Sequence, residues 1–168
     1  ASGPVLKAAV RKGVPAVLQE QNSYAGVTNK LLASKVNKIC VAYPNMERYF
    51  PAEKIVVTGN PIRKNLIEGI VNKTEAYGHF KLNAEKPVVL IVGGSLGART
   101  LNESVMANLE LIRKSDAQVV WQTGSFYYKE MLERLGDNCP KNLQAMEFVS
   151  RMDLAYAVAD VVISRAGA

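Results

Sequence analysis

A chain of 168 residues with 48% apolar and 21% charged side chains is a globular composition, with room for one ordinary domain or two small ones. No run of about 18 apolar residues occurs, so no bilayer-spanning helix is expected, and without a basic-then-apolar start and cleavage site secretion is not expected. The formal charge of +6 is uneven, +7 over residues 1–64 and −1 over residues 65–168, so an anionic partner for the first part (a membrane surface, a phosphorylated substrate or nucleic acid) stands beside a merely solvated basic surface.

The chain opens with Ser2-Gly3-Pro4, which is turn chemistry, and Pro4 suits the first position of a helix. Val5, Ala8, Ala9 and Lys12 mark a short helix that Gly13 ends. Val14 to Leu18 reads as a strand with Pro15 at its start. The polar run Gln19-Glu20-Gln21-Asn22 sits at that strand's carboxyl end, where ligands bind in open α/β sheets. Asn22 or Ser23 equally serves as a helix cap. A helix from Tyr24 to Ser34 follows, with Val27, Leu31 and Leu32 expected inward. Lys38 to Tyr43 is a second strand. A short helix is expected through Met46 to Phe50, and Lys54 to Thr58 is a third strand closed by Gly59-Asn60-Pro61. Arg63 comes next, either a fork for a phosphate or diphosphate or an exposed linker arginine.

Residues 65–85 read as a helix and a polar connector, with Asn72 to Glu75 turn-like. His79 lies in it and suits packing or surface better than catalysis. Cys40 and Cys139 have no metal-ligand spacing to this single histidine. They read as free thiols in a reducing compartment, and no structural zinc is expected.

The stretch from Lys86 to Lys114 organises the rest. Val88 to Val92 is a continuous apolar run, as in a parallel strand buried on both faces. Gly93-Gly94-Ser95-Leu96-Gly97-Ala98-Arg99 follows, and then Leu101, Val105, Leu109 and Ile112 trace one face of a helix. Bare backbone amides at a helix start form a phosphate cradle, to which Ser95 adds a hydroxyl. The glycine spacing is neither the dinucleotide fingerprint nor a Walker loop. The turn is therefore an anion site of another kind or an ordinary strand-to-helix turn. Gln118 to Gln122 is the next strand. Tyr127, Met131, Leu132 and Leu135 stripe a helix up to Gly136. Asn142 to Phe148 is a further strand, after which an apolar side chain and free amides near Val149 and Ser150 would receive a flat base. A helix through Met152, Ala155 and Ala159 leads to the strand Val161 to Ile163. Alternating strands and helices imply a parallel, doubly wound sheet.

Several motifs together resemble the MurG family of peptidoglycan glycosyltransferases. They are Ser2-Gly3-Pro4, Glu20 to Gly26, Gly59-Asn60-Pro61-Ile62-Arg63, Gly93 to Arg99, Glu147-Phe148-Val149, Ala159 to Val162 and Ser164 to Ala168. The resemblance implies an α/β fold of GT-B type, with parts of two Rossmann-like domains. On that basis residues 1–62 belong to the acceptor-side domain, 63–85 to the linker and the first helix of the second domain, and 86–168 to the donor-binding domain. It implies inverting transfer of N-acetylglucosamine from UDP-GlcNAc to lipid I, giving lipid II, at the cytoplasmic face of the membrane. The implied partners are UDP-GlcNAc, lipid I and an anionic membrane surface, with no nucleic acid and no cofactor or metal.

Carried over by position, Asn22 would contact the donor sugar region, and Arg63 and Ser95 the donor phosphates. Gly93, Gly94 and Gly97 would support the phosphate loop. Val149 would meet uracil through its backbone, and Ala168 would begin the next donor-binding loop. Gln19 stands where many members place a histidine. The family's N-terminal glycine-rich loop, its proposed general base and its sugar-holding glutamine have no counterpart in the chain. An internal, catalytically inactive piece of the enzyme is the expectation. Rival readings are another GT-B UDP-sugar enzyme, a nucleic-acid module suggested by the pI near 9.3, and a dinucleotide dehydrogenase. The last two lack, respectively, interleaved aromatics on a basic face and the required glycine spacing.

Overall fold

The computed structural model describes residues 2–62 and 72–165. They fall into two compact units, separated after Ile62.

In the first unit, helix α1 (Ser2–Arg11) precedes strand β1 (Val17–Glu20). Helix α2 (Val27–Leu32) runs into a 3₁₀ turn, Ala33–Lys35. Strands β2 (Lys38–Val41) and β3 (Ile55–Val57) follow. The three strands are parallel, in the order β1-β2-β3. Gly13, at φ +72°, reverses the chain after α1. Leu18, Ile39, Val41, Met46 and Phe50 form the core with Leu32 and Val36.

Several local expectations change here. Ser2-Gly3-Pro4, read as a turn, opens helix α1, and α2 starts at Val27 behind Gly26 with no side-chain cap, not at Tyr24 behind Asn22 or Ser23. Strand β1 is Val17–Glu20 and not Val14 to Leu18, because Ala16, Leu18 and Glu20 are the residues that alternate inward. Val27 and Leu31 point to solvent and only Leu32 of the expected trio is buried, since α2 is one and a half turns long and touches the sheet along a narrow stripe. Met46 to Phe50 is a turn, closed by the Tyr49 and Phe50 amides donating to the Met46 carbonyl at 2.9 and 3.1 Å, not a helix.

The second unit opens with α3 (Lys73–Phe80). Asn72 caps it, its side chain accepting from the Thr74 amide at 2.9 Å, so the turn-like Asn72 to Glu75 is in fact a helix start. His79 packs edge-on against Phe80, with ring centroids 4.7 Å apart. Strand β4 (Val88–Val92) leads to α4 (Arg99–Ala107) and α5 (Leu109–Lys114). The helix expected as one piece is two, because Asn108 leaves helical geometry at φ −114°, ψ 21°. Strand β5 (Gln118–Gln122), helix α6 (Tyr128–Leu135), strand β6 (Leu143–Met146), helix α7 (Met152–Val158) and strand β7 (Val161–Ser164) complete the unit.

All pairs are parallel, in the order β6-β5-β4-β7. The chain winds outward from β4 through β5 to β6, then crosses back to β7 on the other side of β4. Alternation along the central strands loads both faces. Val88, Leu90 and Val120 pack with Phe80, Leu154 and Val158 on one side. Ile91, Val119 and Trp121 pack with Val105, Met131 and Leu135 on the other. Helices α3 and α7 therefore cover one face, and α4 and α6 the opposite one.

One buried polar group ties this second face together. Asn102, on α4 and 1% exposed, accepts from the Trp121 indole at 3.1 Å and donates to the Thr123 carbonyl at 2.9 Å. Trp121 is the chain's single tryptophan. Asn102→Leu leaves two buried groups unpaired, and each costs about 1–3 kcal/mol. Urea unfolding followed by Trp121 fluorescence should show that loss as a lower midpoint with an unchanged slope.

Candidate functional site

Two loop clusters carry the residues singled out from the sequence, one in each unit.

In the first unit, β1 ends in an acidic residue that is almost wholly buried. Glu20 is 3% exposed, and its carboxylate accepts four hydrogen bonds. Oε1 takes the Asn22 amide at 3.1 Å and Asn22 Nδ2 at 3.2 Å. Oε2 takes the Gly26 amide and Asn29 Nδ2, both at 2.9 Å. The turn from Asn22 to Gly26 is thus wrapped around one carboxylate. Burial by itself would raise the Glu20 pKa. The bonds from Gly26, Asn22 and Asn29 outweigh it and hold the group below its ordinary value of 4.5.

Asn22 therefore sits at the carboxyl end of the sheet with its side chain partly engaged by Glu20. The Gly59-Asn60 turn comes to the same place. Asn60 Nδ2 donates to the Gln21 carbonyl at 3.3 Å, and Gln19 Nε2 to the Gly59 carbonyl at 3.4 Å. The Glu-Gln-Asn and Gly-Asn-Pro motifs, about 40 residues apart in sequence, are neighbours. Asn60 Oδ1 is shielded from solvent and has no partner among the described residues. Arg63 lies outside the described residues.

In the second unit, the reversal of strand order puts a crevice at the carboxyl ends of β4 and β7. The glycine loop leaves β4 at that end and packs toward the β5 side. The Gly97 amide donates to the Gly94 carbonyl at 3.0 Å, closing a turn that carries Ser95 outward and exposed. Gly94 and Gly97 have φ of +90° and +92°, which disfavours any side chain. A Cβ on Gly93 would lie 2.7 Å from the Ala98 amide nitrogen. A Cβ on Gly97 would lie 2.1 Å from the Thr123 carbonyl oxygen. Helix α4 starts directly behind the loop, with no side chain capping it and no acid in its first turn. Its positive end is left to the loop, which suits an anion.

The β5–α6 turn holds this loop from behind. The Ser125 amide and hydroxyl donate to the Ser95 carbonyl at 3.0 and 3.3 Å. Gly124, at φ +84°, meets Gly97 backbone to backbone, so that a Cβ there would lie 2.0 Å from the Gly97 nitrogen. Gln122 Nε2 donates to the Gly94 carbonyl at 3.0 Å, and Gln122 Oε1 accepts from the Val149 amide at 2.8 Å.

Val149 departs from its expected surroundings. Its side chain is 2% exposed and belongs to the core, and its N–H is engaged by Gln122. The exposed apolar side chain of this loop is Phe148. Ala168 lies outside the described residues. Glu20 was singled out only as part of a polar run and not as a buried hub, and Asn102, Gln122 and Gly124 were not singled out from the sequence. A signal existed for two of them: a buried-type strand ending in a polar residue, at Glu20 and at Gln122.

Parallel sheets, with a glycine loop at a strand-order reversal, define an α/β protein with Rossmann-like units, and its likeness to solved structures places it among GT-B folds. The glycosyltransferase family 28 C-terminal domain matches residues 88–168. Across all of its residues the chain is 55% identical to the UDP-N-acetylglucosamine–N-acetylmuramyl-(pentapeptide) pyrophosphoryl-undecaprenol N-acetylglucosamine transferase of Parabacteroides distasonis, covering 46% of that protein. It is 54% identical to the transferase of the same name from Bacteroides fragilis, covering 45% of it. The crystal structure of Acinetobacter baumannii MurG superposes with a TM-score of 0.61 at 32% identity, over 99% of this chain and 44% of that one. A UDP-GlcNAc 2-epimerase from Neisseria meningitidis, at 16% identity over 98% of this chain and 52% of that one, shares the fold with a TM-score of 0.66. The chain is a MurG homologue along its whole length, and it spans about half the length of the curated relatives it matches.

Two outcomes follow from this geometry. Gly94→Ala, which adds a Cβ in open space at positive φ, should cost about 1–2 kcal/mol. Gly97→Ala adds a backbone collision and should cost roughly 2–5 kcal/mol, so the two variants should separate clearly in thermal unfolding. The second concerns acid. Because the folded-state pKa of Glu20 is depressed, the folded state binds fewer protons than the unfolded one, so this contribution is complete above the unfolded value of 4.5. It is lost as pH falls through the folded value. Stability measured by urea unfolding should drop across that acid window, and Glu20→Gln should flatten the drop.

Proposed function

We propose that this chain holds the nucleotide-sugar donor of an inverting transferase that moves N-acetylglucosamine from UDP-GlcNAc to lipid I, giving lipid II in peptidoglycan synthesis. The observation that carries the reading is the glycine loop of Gly93 to Gly97, backed by an uncapped helix and lying at the β4/β7 crevice.

UDP leaves with charge accumulating on its diphosphate as the bond from sugar C1 to phosphate oxygen breaks. Fixed amides and a helix dipole aimed at that charge stabilise it without reorganising. The Ser95 hydroxyl and the Arg63 guanidinium add donors to the same oxygens. The Val149 carbonyl accepts from the uracil N–H, and Phe148 offers a flat apolar surface beside it. The resemblance assigns Asn22 to the donor sugar region and Ala168 to the start of the next donor-binding loop. The acceptor hydroxyl attacks C1 from the opposite face and gives up its proton to a general base, a role for which no group among the described residues is placed. In isolation the chain is therefore a donor-binding piece without turnover. The basic first 64 residues suit peripheral contact with the anionic cytoplasmic face of the membrane.

Calorimetric titration with UDP-GlcNAc checks the reading, with UDP, NAD and a short oligonucleotide as comparators. Uridine-selective binding that is lost in Ser95→Trp is the expected result. Tight oligonucleotide binding with no uridine response, or no uridine binding by a folded chain, would contradict it. Mixed with UDP-GlcNAc and lipid I, the chain should form no lipid II.

A further inference from the structure

We propose that Gln122 is a positioning residue that locks the diphosphate loop and the nucleobase loop into one rigid donor site. The ligand assigned to each loop rests on the donor-site reading above, while the lock rests on geometry alone.

Gln122 ends β5, the strand between β4 and β6, and is 1% exposed. Its amide uses one donor and one acceptor, on two different loops. Nε2 donates to the Gly94 carbonyl at 3.0 Å. That carbonyl also accepts the Gly97 amide, so the atom Gln122 holds is the one that closes the turn carrying Ser95. Oε1 accepts the Val149 amide at 2.8 Å. Gly94 and Val149 lie 28 and 27 residues from Gln122 in sequence. Joining a carbonyl to an N–H requires a group that donates at one end and accepts at the other. A neutral carboxamide does this, whereas a carboxylate or an alkyl chain does not.

A nucleoside diphosphate spans both loops with a short, fixed separation between base and phosphates. Two loops held in register capture both ends at once. Two loops free to drift bind each end as before but lose the advantage of the covalent link between them.

Two variants separate a lock from a buried side chain that is merely satisfied. Gln122→Met keeps length and apolar burial and removes both bonds. Gln122→Glu restores donor and acceptor when neutral and repels the Gly94 carbonyl when ionised, and burial favours its neutral form as pH falls. The ligand-free readout is amide hydrogen exchange and ¹⁵N-resolved NMR. In Gln122→Met the Val149 amide should lose protection and the Gly94 to Gly97 signals should shift or broaden with it, while Val119 and Val120 stay protected. In Gln122→Glu the same signals should return toward wild type on acidification. By calorimetry, Gln122→Met should weaken UDP by about tenfold or more while uridine and inorganic pyrophosphate each change by less than roughly threefold.

Loss of Val149 protection with unchanged Gly94 to Gly97 signals would overturn the lock, because the loops would then be independent. So would loss of protection along all of β5, or an equal fall in affinity for all three ligands. A wild-type chain that binds no uridine compound would overturn the donor-site reading instead, and the exchange data would still decide the lock.

Discussion

The second unit depends on two glycines that have no room for a side chain. Gly97 and Gly124 meet backbone to backbone, and a Cβ on either would lie within about 2 Å of the other loop. That approach sets the β5–α6 turn directly behind the β4–α4 loop, which lets Ser125 reach the Ser95 carbonyl and Gln122 reach the Gly94 carbonyl. With the loop fixed from behind, its outer surface is backbone, the Ser95 hydroxyl, the exposed Leu96 side chain and the uncapped start of α4. An anion cradle made of amides must be rigid in advance, because amides on a floppy loop would spend ligand energy on ordering themselves.

Both units use the same device at the ligand end of a sheet. A strand ends in a buried polar side chain whose atoms are taken up by backbone groups of neighbouring loops. In the first unit it is the Glu20 carboxylate, with Asn22, Gly26 and Asn29 around it. In the second it is the Gln122 amide, between Gly94 and Val149. Asn102 plays the related part from a helix, joining Trp121 to the Thr123 carbonyl. Burying such groups costs free energy unless every bond is made, so each one selects a single loop conformation. An apolar residue at the same positions would pack as well and specify less.

Much of the scaffold was legible in the sequence because both central strands are continuous apolar runs with polar or glycine boundaries. Residues 88–92 and 118–122 read directly as β4 and β5. The parallel arrangement followed from the alternation of elements. Strand β1 was misplaced because Val14 and Pro15 look like its start, while its true last residue is an acid that becomes tolerable only inside a cage of four donors. The break at Asn108 was hidden because the apolar spacing continues straight through it. Of the site, the glycine loop and Ser95 were legible from local pattern. The Gly124 contact and the Gln122 bridge were not, since each joins residues more than 25 positions apart and no periodicity encodes such a pairing. Val149 was named from its place at a strand end and from the resemblance, but its engaged N–H and buried side chain became visible only in three dimensions.

In the proposed donor site a uridine diphosphate would seat across the β4–α4 loop and the loop after β6. The most direct measurement is a ¹⁵N-resolved NMR titration of the chain with UDP. A donor site there gives saturable shifts concentrated at the amides of Gly94 to Gly97 and Phe148 to Arg151, with the Glu20 turn of the first unit unmoved by the nucleotide alone. Shifts centred on the basic first 64 residues, with the glycine loop silent, would contradict it.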